Sequence, residues 1–149
     1  MLQMTDLYTA ASRGSLREVQ AALLVHPEQL NSRRRGGRML PPLHLAADMN
    51  REPEIINALV DAGAELEHEG SAGHTAVYYA AHHTSPRALR ALLRHGARVT
   101  GAALQHAATA GSDAALGLLL AADPAAVNIA GLDGRTLLWS AAGSQSQPA

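Results

Sequence analysis

The sequence contains neither cysteine nor phenylalanine, a single tryptophan and three tyrosines. Without cysteine the chain has no disulfide, no thiol nucleophile and no Cys-based zinc site. With aromatics at 3 % and hydrophobic residues at 47 %, the core must be assembled from alanine and branched aliphatics, which favours helix against helix at short distance. Charge is scarce and balanced: a formal net charge of −1 fits a folded domain and gives no general attraction to polyanions. The N-terminal stretch lacks a basic region followed by an apolar run, so it does not read as a secretory signal. The most apolar segment, Ala114 to Val127, carries Asp123 and Pro124 and is too short to span a bilayer. The expected setting is the cytosol or the nucleus, with no membrane contact. The phosphate-binding patterns GxxxxGK[ST] and GxGxxG are absent, and no nucleophile–base arrangement stands out, since Ser and Thr mostly sit where turns and caps need them. Neither an enzymatic activity nor a cofactor is expected.

What the chain does have is repetition. Alanine pairs begin at Ala10, Ala46, Ala80, Ala107 and Ala141, at steps of 36, 34, 27 and 34 residues. Leucine follows the first four pairs at similar distances, as Leu23-Leu24, Leu59, Leu92-Leu93 and Leu119-Leu120. The fullest unit runs from Pro41 to Glu67. Leu43, Leu45, Ala46 and Ala47 supply the apolar side of one short helix, and Ile55, Ile56, Leu59 and Val60 recur at helical spacing in a second. Gly63 stands where a left-handed C-terminal residue is wanted. Neither helix can bury its stripe alone, so copies must stack and share a core.

These motifs resemble the ankyrin repeats. The T-P-L-H-x-A-A opening of that family is matched by Pro41-Pro42-Leu43-His44-Leu45-Ala46-Ala47, by Thr75-Ala76-Val77-Tyr78-Tyr79-Ala80-Ala81 and by Thr136-Leu137-Leu138-Trp139-Ser140-Ala141-Ala142. The Leu-Leu-x-x-Gly-Ala ending is matched at Leu59 to Ala64 and Leu92 to Ala97. The resemblance implies an all-α solenoid of stacked helix pairs with short β-hairpin-like finger loops. It also gives His44 a structural role in binding backbone groups, and Gly63 and Gly96 structural roles as helix ends. Repeats are expected over about 5–30, 41–67, 73–99 and 101–128, then a half repeat over 134–143, and a polar tail over 144–149 expected to be disordered.

The array is expected to be irregular. Thr5 or Asp6 can cap the first helix, and Ser15 with Glu18 has capping-box spacing for the second. Pro53 suits the first turn of its helix, and Ser85-Pro86 reads as N-cap followed by first helical residue. The finger from Asn31 to Arg38 is long. Between Ala97 and Ala107 there is too little chain for a finger, so Thr100-Gly101 should turn directly into a helix. An unfinished last repeat leaves Leu116, Leu119 and Leu138 poorly covered, and a monomer is expected unless that end pairs.

The resemblance implies a non-enzymatic protein-interaction module whose concave groove displays residues of the fingers and first helices. Position by position, that contact set is Ser12, Arg13, Arg35, Arg38, Asp48, Met49, His74, His82, His83, Thr109, Asp133 and Arg135. The basic finger adds Arg33 and Arg34, and its guanidinium cluster suits an acidic segment of a partner protein. Two other readings stand beside this one. In the first, the chain is the ankyrin segment of a larger enzyme or effector whose chemistry lies elsewhere. In the second, the His- and Arg-rich surface binds metal or nucleic acid. Nucleic acid is disfavoured by the net charge and by the lack of interleaved aromatics. Metal is disfavoured because adjacent His82 and His83 diverge by about 100° on a helix. His82, His83 and His74 are expected to form one patch, and His106 to be a surface residue.

Overall fold

Every alanine of the first four pairs is buried in the structure, a computed structural model that describes residues 5–33, 39–70, 73–83 and 86–125. Around them stand α1 (Leu7–Arg13), α2 (Leu16–Val25), α3 (Pro42–Asp48), α4 (Pro53–Asp61), α5 (Ala76–Ala80), α6 (Arg87–Arg94), α7 (Gly101–Thr109) and α8 (Asp113–Ala122). The first helix of each repeat packs on the next, α1 on α3 on α5 on α7, and the second helices form a parallel row, α2, α4, α6 and α8. Methyl-sized side chains at the pairs let the first helices approach closely. No strand occurs among the described residues, and the fold is an all-α repeat solenoid.

The ends of the helices follow from local chemistry. Asp6 accepts from the Thr9 amide at 2.7 Å, so Asp6 caps α1. Ser15 and Glu18 exchange the two bonds of a capping box on α2, and Thr100 Oγ1 accepts from Ala103 N on α7 at 3.1 Å. Four helices end in the same paired hydrogen bonds. Gly63 N donates to Val60 O and Ala64 N to Leu59 O; Gly96 and Ala97 repeat the pattern on Leu93 O and Leu92 O. Asn50 with Arg51, and Gly111 with Ser112, do the same on the carbonyls of the alanine pairs. Gly63 and Gly96 have φ of 108° and 88°, a region where a side chain is strained and glycine is not. Asn50 occupies it at φ 50°, as the residue type that tolerates it best after glycine.

The core runs unbroken through the repeats. Leu7, Leu43, Val77 and Leu104 occupy one level of the first helices, and Leu59, Leu92 and Leu119 occupy one level of the second. The first repeat departs from the leucine pattern: Ala22 takes the buried level, Leu23 is half-buried and Leu24 is 85 % exposed. Pro86 also differs from expectation. It is the N-cap of α6, its ψ of 69° being non-helical, and Arg87 is the first helical residue. From Ala97 to Thr100 the chain enters α7 directly, so the third and fourth repeats are joined without a finger. The expected half repeat, the tail and Ser85 lie outside the described residues.

Side chains tie each repeat to the turn of the one before. Arg51 donates to Ser12 O at 3.3 Å and to Gly14 O, where a cation complements the C-terminal end of α1. His83 Nε2 donates to Asp48 O at 2.7 Å, and Ser112 Oγ to His83 O at 2.5 Å. Asn50 receives the Ala88 amide on Oδ1 at 3.2 Å and Arg87 Nε on its carbonyl at 2.9 Å. At the far ends, Asn31 bridges Gly63 O and Glu65 N. These bonds fix the relative orientation of successive helix pairs.

Candidate partner-binding surface

The residues that follow or just precede the alanine pairs come together most densely on the third and fourth repeats. Tyr78, on α5, lies between two imidazoles: the His74 ring stacks on it at 3.7 Å and 12°, and the His106 ring, from α7, at 4.4 Å and 23°. His106 meets His82 edge-on at 5.3 Å, and His82 meets His83 at 4.0 Å. The result is one row, His74, Tyr78, His106, His82 and His83, in which every ring is partly exposed. His83 closes the row against the second repeat through its bond to Asp48 O.

Burial acts on the row unevenly. It pulls the His106 imidazole below its usual range, with the charges of His82 and His74 adding to the effect. His83 moves in the same direction, again through burial, while its hydrogen bond to Asp48 O opposes the change. Both rings are therefore biased toward their neutral forms near pH 7.

Behind the row stands a different imidazole. His44 is fully buried in α3 and donates from Nε2 to His68 O at 2.7 Å. Its ring contacts Tyr79 edge-on at 5.7 Å and His68 at 6.1 Å. Burial pushes its pKa down to about 4, against the pull of the His68 carbonyl. Its Nδ1 has no partner among the described residues.

The expected contact residues are placed as follows. His74, His82, His83 and Asp48 are brought together. Met49 is 53 % exposed at the end of α3, and Arg13 is exposed at the end of α1. The Ser12 and Thr109 hydroxyls turn back onto their own helices, Ser12 to Thr9 O at 3.1 Å and Thr109 to Gln105 O at 2.5 Å. Arg33 is exposed and donates to Glu69 O at 3.2 Å, so it leans on the next finger. Arg34, Arg35, Arg38, Asp133 and Arg135 lie outside the described residues. Two members of the row were not among the expected contacts. Tyr78 stands where the repeat motif has histidine, and His106, expected to be a plain surface residue, is half-buried between Tyr78 and His82. The signal was the offset from the alanine pairs, two before Ala80 and one before Ala107, which sets the two rings face to face once α5 and α7 stack. Among the described residues, no three His, Asp or Glu side chains are grouped to hold a metal ion, and no helix is long and apolar enough to cross a membrane. A sequence model of the family described as ankyrin repeats (3 copies) matches residues 7–102.

Proposed function

Because the chain belongs to the ankyrin-repeat family, whose members are generally protein-interaction modules and typically not enzymes, we propose that it binds another protein through the face formed by its fingers and first helices. The observation that carries this reading is the row of five part-exposed rings on α5 and α7 and on the segments flanking α5, with Met49 53 % exposed at the end of the preceding first helix. A large apolar side chain and a file of rings held outward by a rigid stack lose little conformational freedom on binding. The partner segment is acidic in this reading, because Arg13 is exposed at the end of the first helix α1, Arg33 is exposed in the first finger, and the basic sequence continues from Arg33. The chemistry of the complex, if the chain is one segment of a larger protein, lies with the partner or the remainder of that protein.

Photo-crosslinking from single positions tests this directly. A benzophenone amino acid at Met49 is expected to capture the partner in cells, and one at Leu24, exposed on the opposite row of helices, is expected to capture nothing. Capture from Leu24 and not from Met49 would move the interface to the other face.

A further inference from the structure

The solenoid takes Tyr78 and His83 from the ring row, the one packed against the core and the other tied to Asp48 O, and closes without the remaining imidazoles. Its core needs the alanine pairs, the leucines and His44, whereas His74, His82 and His106 lie outside the buried cluster. Stacking one imidazole on a tyrosine would already cover that ring. Here three imidazoles, His106, His82 and His83, are in continuous contact and Tyr78 joins a fourth, His74, to them, and the charges that act on His83 and His106 come from Asp48 and from the other imidazoles of the row. Asp48, at the end of α3, favours protonation of both; the imidazoles oppose one another; Tyr78 between them is uncharged. A proton on one ring therefore raises the cost of a proton on the next. Carboxylates laid along the row would remove that penalty, accepting N–H bonds from neutral rings and pairing with protonated ones.

We propose that this row is the carboxylate-binding subsite for the acidic partner segment, and that the segment is bound together with protons taken up by the imidazoles. The inference rests on the groove reading given above and adds what is recognised there and how recognition is regulated. It makes the complex tighter in mildly acidic surroundings and looser at neutral pH, because a bound carboxylate favours the protonated ring. The basic finger supplies attraction that is independent of pH in this range, since arginine does not titrate there.

The test uses the full chain with fluorescein-labelled deca-glutamate as the probe, deca-glutamine as the neutral control and oligo-dT as the nucleic-acid control. Far-UV circular dichroism verifies the fold at each pH. Between about pH 7.5 and 5.5, deca-glutamate affinity is expected to rise at least about tenfold, which corresponds to net uptake of a fraction of a proton or more. Calorimetry in two buffers of different ionisation enthalpy is expected to register that uptake. His82→Gln with His106→Gln should flatten the profile while leaving the melting temperature at pH 7.5 nearly unchanged. Arg33→Gln should lower affinity at both pH values without changing the slope. No deca-glutamate binding, a flat profile in the wild type, or a profile kept by the double glutamine variant would each overturn the proposal, as would preference for oligo-dT. Amide shifts in nuclear magnetic resonance separate the two levels of the argument. Shifts on α1, α3 and α5 that bypass the imidazoles would sink the subsite and leave the groove standing. Shifts confined to α2, α4, α6 and α8 would sink both.

Discussion

Two sets of histidines lie on neighbouring repeats, within one tyrosine of each other, and their surroundings assign them opposite work. His44 is enclosed, donates to one carbonyl and is held neutral down to about pH 4. His74, His82, His83 and His106 are half-exposed and are linked to one another directly or through Tyr78. Tyr79 meets His44 on one side and His74 on the other, at 5.7 and 6.4 Å, so the two sets are separated by a single ring. The same side chain is scaffold at one depth and display at the next. What decides between the roles is depth: His83 also spends its Nε2 on a backbone carbonyl, Asp48 O, yet stays half-exposed, whereas His44 is fully enclosed.

The largest effects belong to the scaffold side. Leu92→Asp buries an unpaired carboxylate at a fully enclosed site and is expected to cost upward of about 4 kcal/mol, melting neighbouring repeats together. Leu24→Asp, on the same row of helices but exposed, should change stability by less than about 0.5 kcal/mol. Thermal melts followed by circular dichroism check both, and similar melting points would contradict the shared core.

Acid sharpens the contrast further. An unfolded His44 takes a proton near 6.5 and the folded one resists until about 4, so the folded state binds fewer protons in that window. Stability is intact above about pH 6.5, falls as pH drops toward 4, and loses about 3 kcal/mol in all from this residue. His83 and His106 are shifted in the same direction and add to the loss. Urea denaturation at about pH 7.5, 5.5 and 4 measures it. His44→Gln should flatten most of the slope at some cost in stability at neutral pH, and His106→Gln should flatten little of it. A wild-type curve with no slope would mean that His44 takes up its proton as readily in the folded state as in the unfolded one.

Smaller, and independent of charge, is the cost of a side chain at a left-handed helix end. Gly96→Ala is expected to destabilise by about 1 kcal/mol, because φ is 88° there and the two hydrogen bonds of the cap fix it. Nothing lies within 4 Å of an added methyl group, so the effect is conformational strain and not a clash. Its measure is the shift in denaturation midpoint at pH 7.5, where the histidines contribute no slope.

The scaffold was legible in the sequence because each of its signals is local to one repeat. The alanine pairs, the buried leucines, Gly63, Gly96 and the Ser15–Glu18 box are all read within a few residues of one another, and the absence of a finger after Ala97 is a matter of counting. The display side was only partly legible because its contacts cross repeats. Tyr78 and His106 are far apart in the chain and meet only when α5 and α7 stack; the Arg51, His83 and Ser112 bonds to preceding turns share that property. Leu24 illustrates a local signal that misleads: the leucine pair fits the repeat, yet the register of α2 gives the buried level to Ala22.

The smallest predicted effect concerns a motif divided between two repeats. His44 has Pro41 at the N-cap of its helix, which offers no hydroxyl, and Thr75 has Tyr78 three residues on; among the described residues neither His44 Nδ1 nor the buried Thr75 hydroxyl has a hydrogen-bond partner. Thr100, by contrast, spends its hydroxyl on the Ala103 amide. Replacing each threonine by valine keeps the shape and removes only the hydroxyl. Thr100→Val is expected to cost about 1 kcal/mol through the lost cap. Thr75→Val should be neutral or stabilise by up to about 1 kcal/mol, since an unpaired buried hydroxyl is relieved. The signs, read from paired thermal melts, matter more than the sizes. Equal losses in both variants would mean that the Thr75 hydroxyl is bonded after all, and that the second and third repeats are less divided than their orphaned atoms indicate.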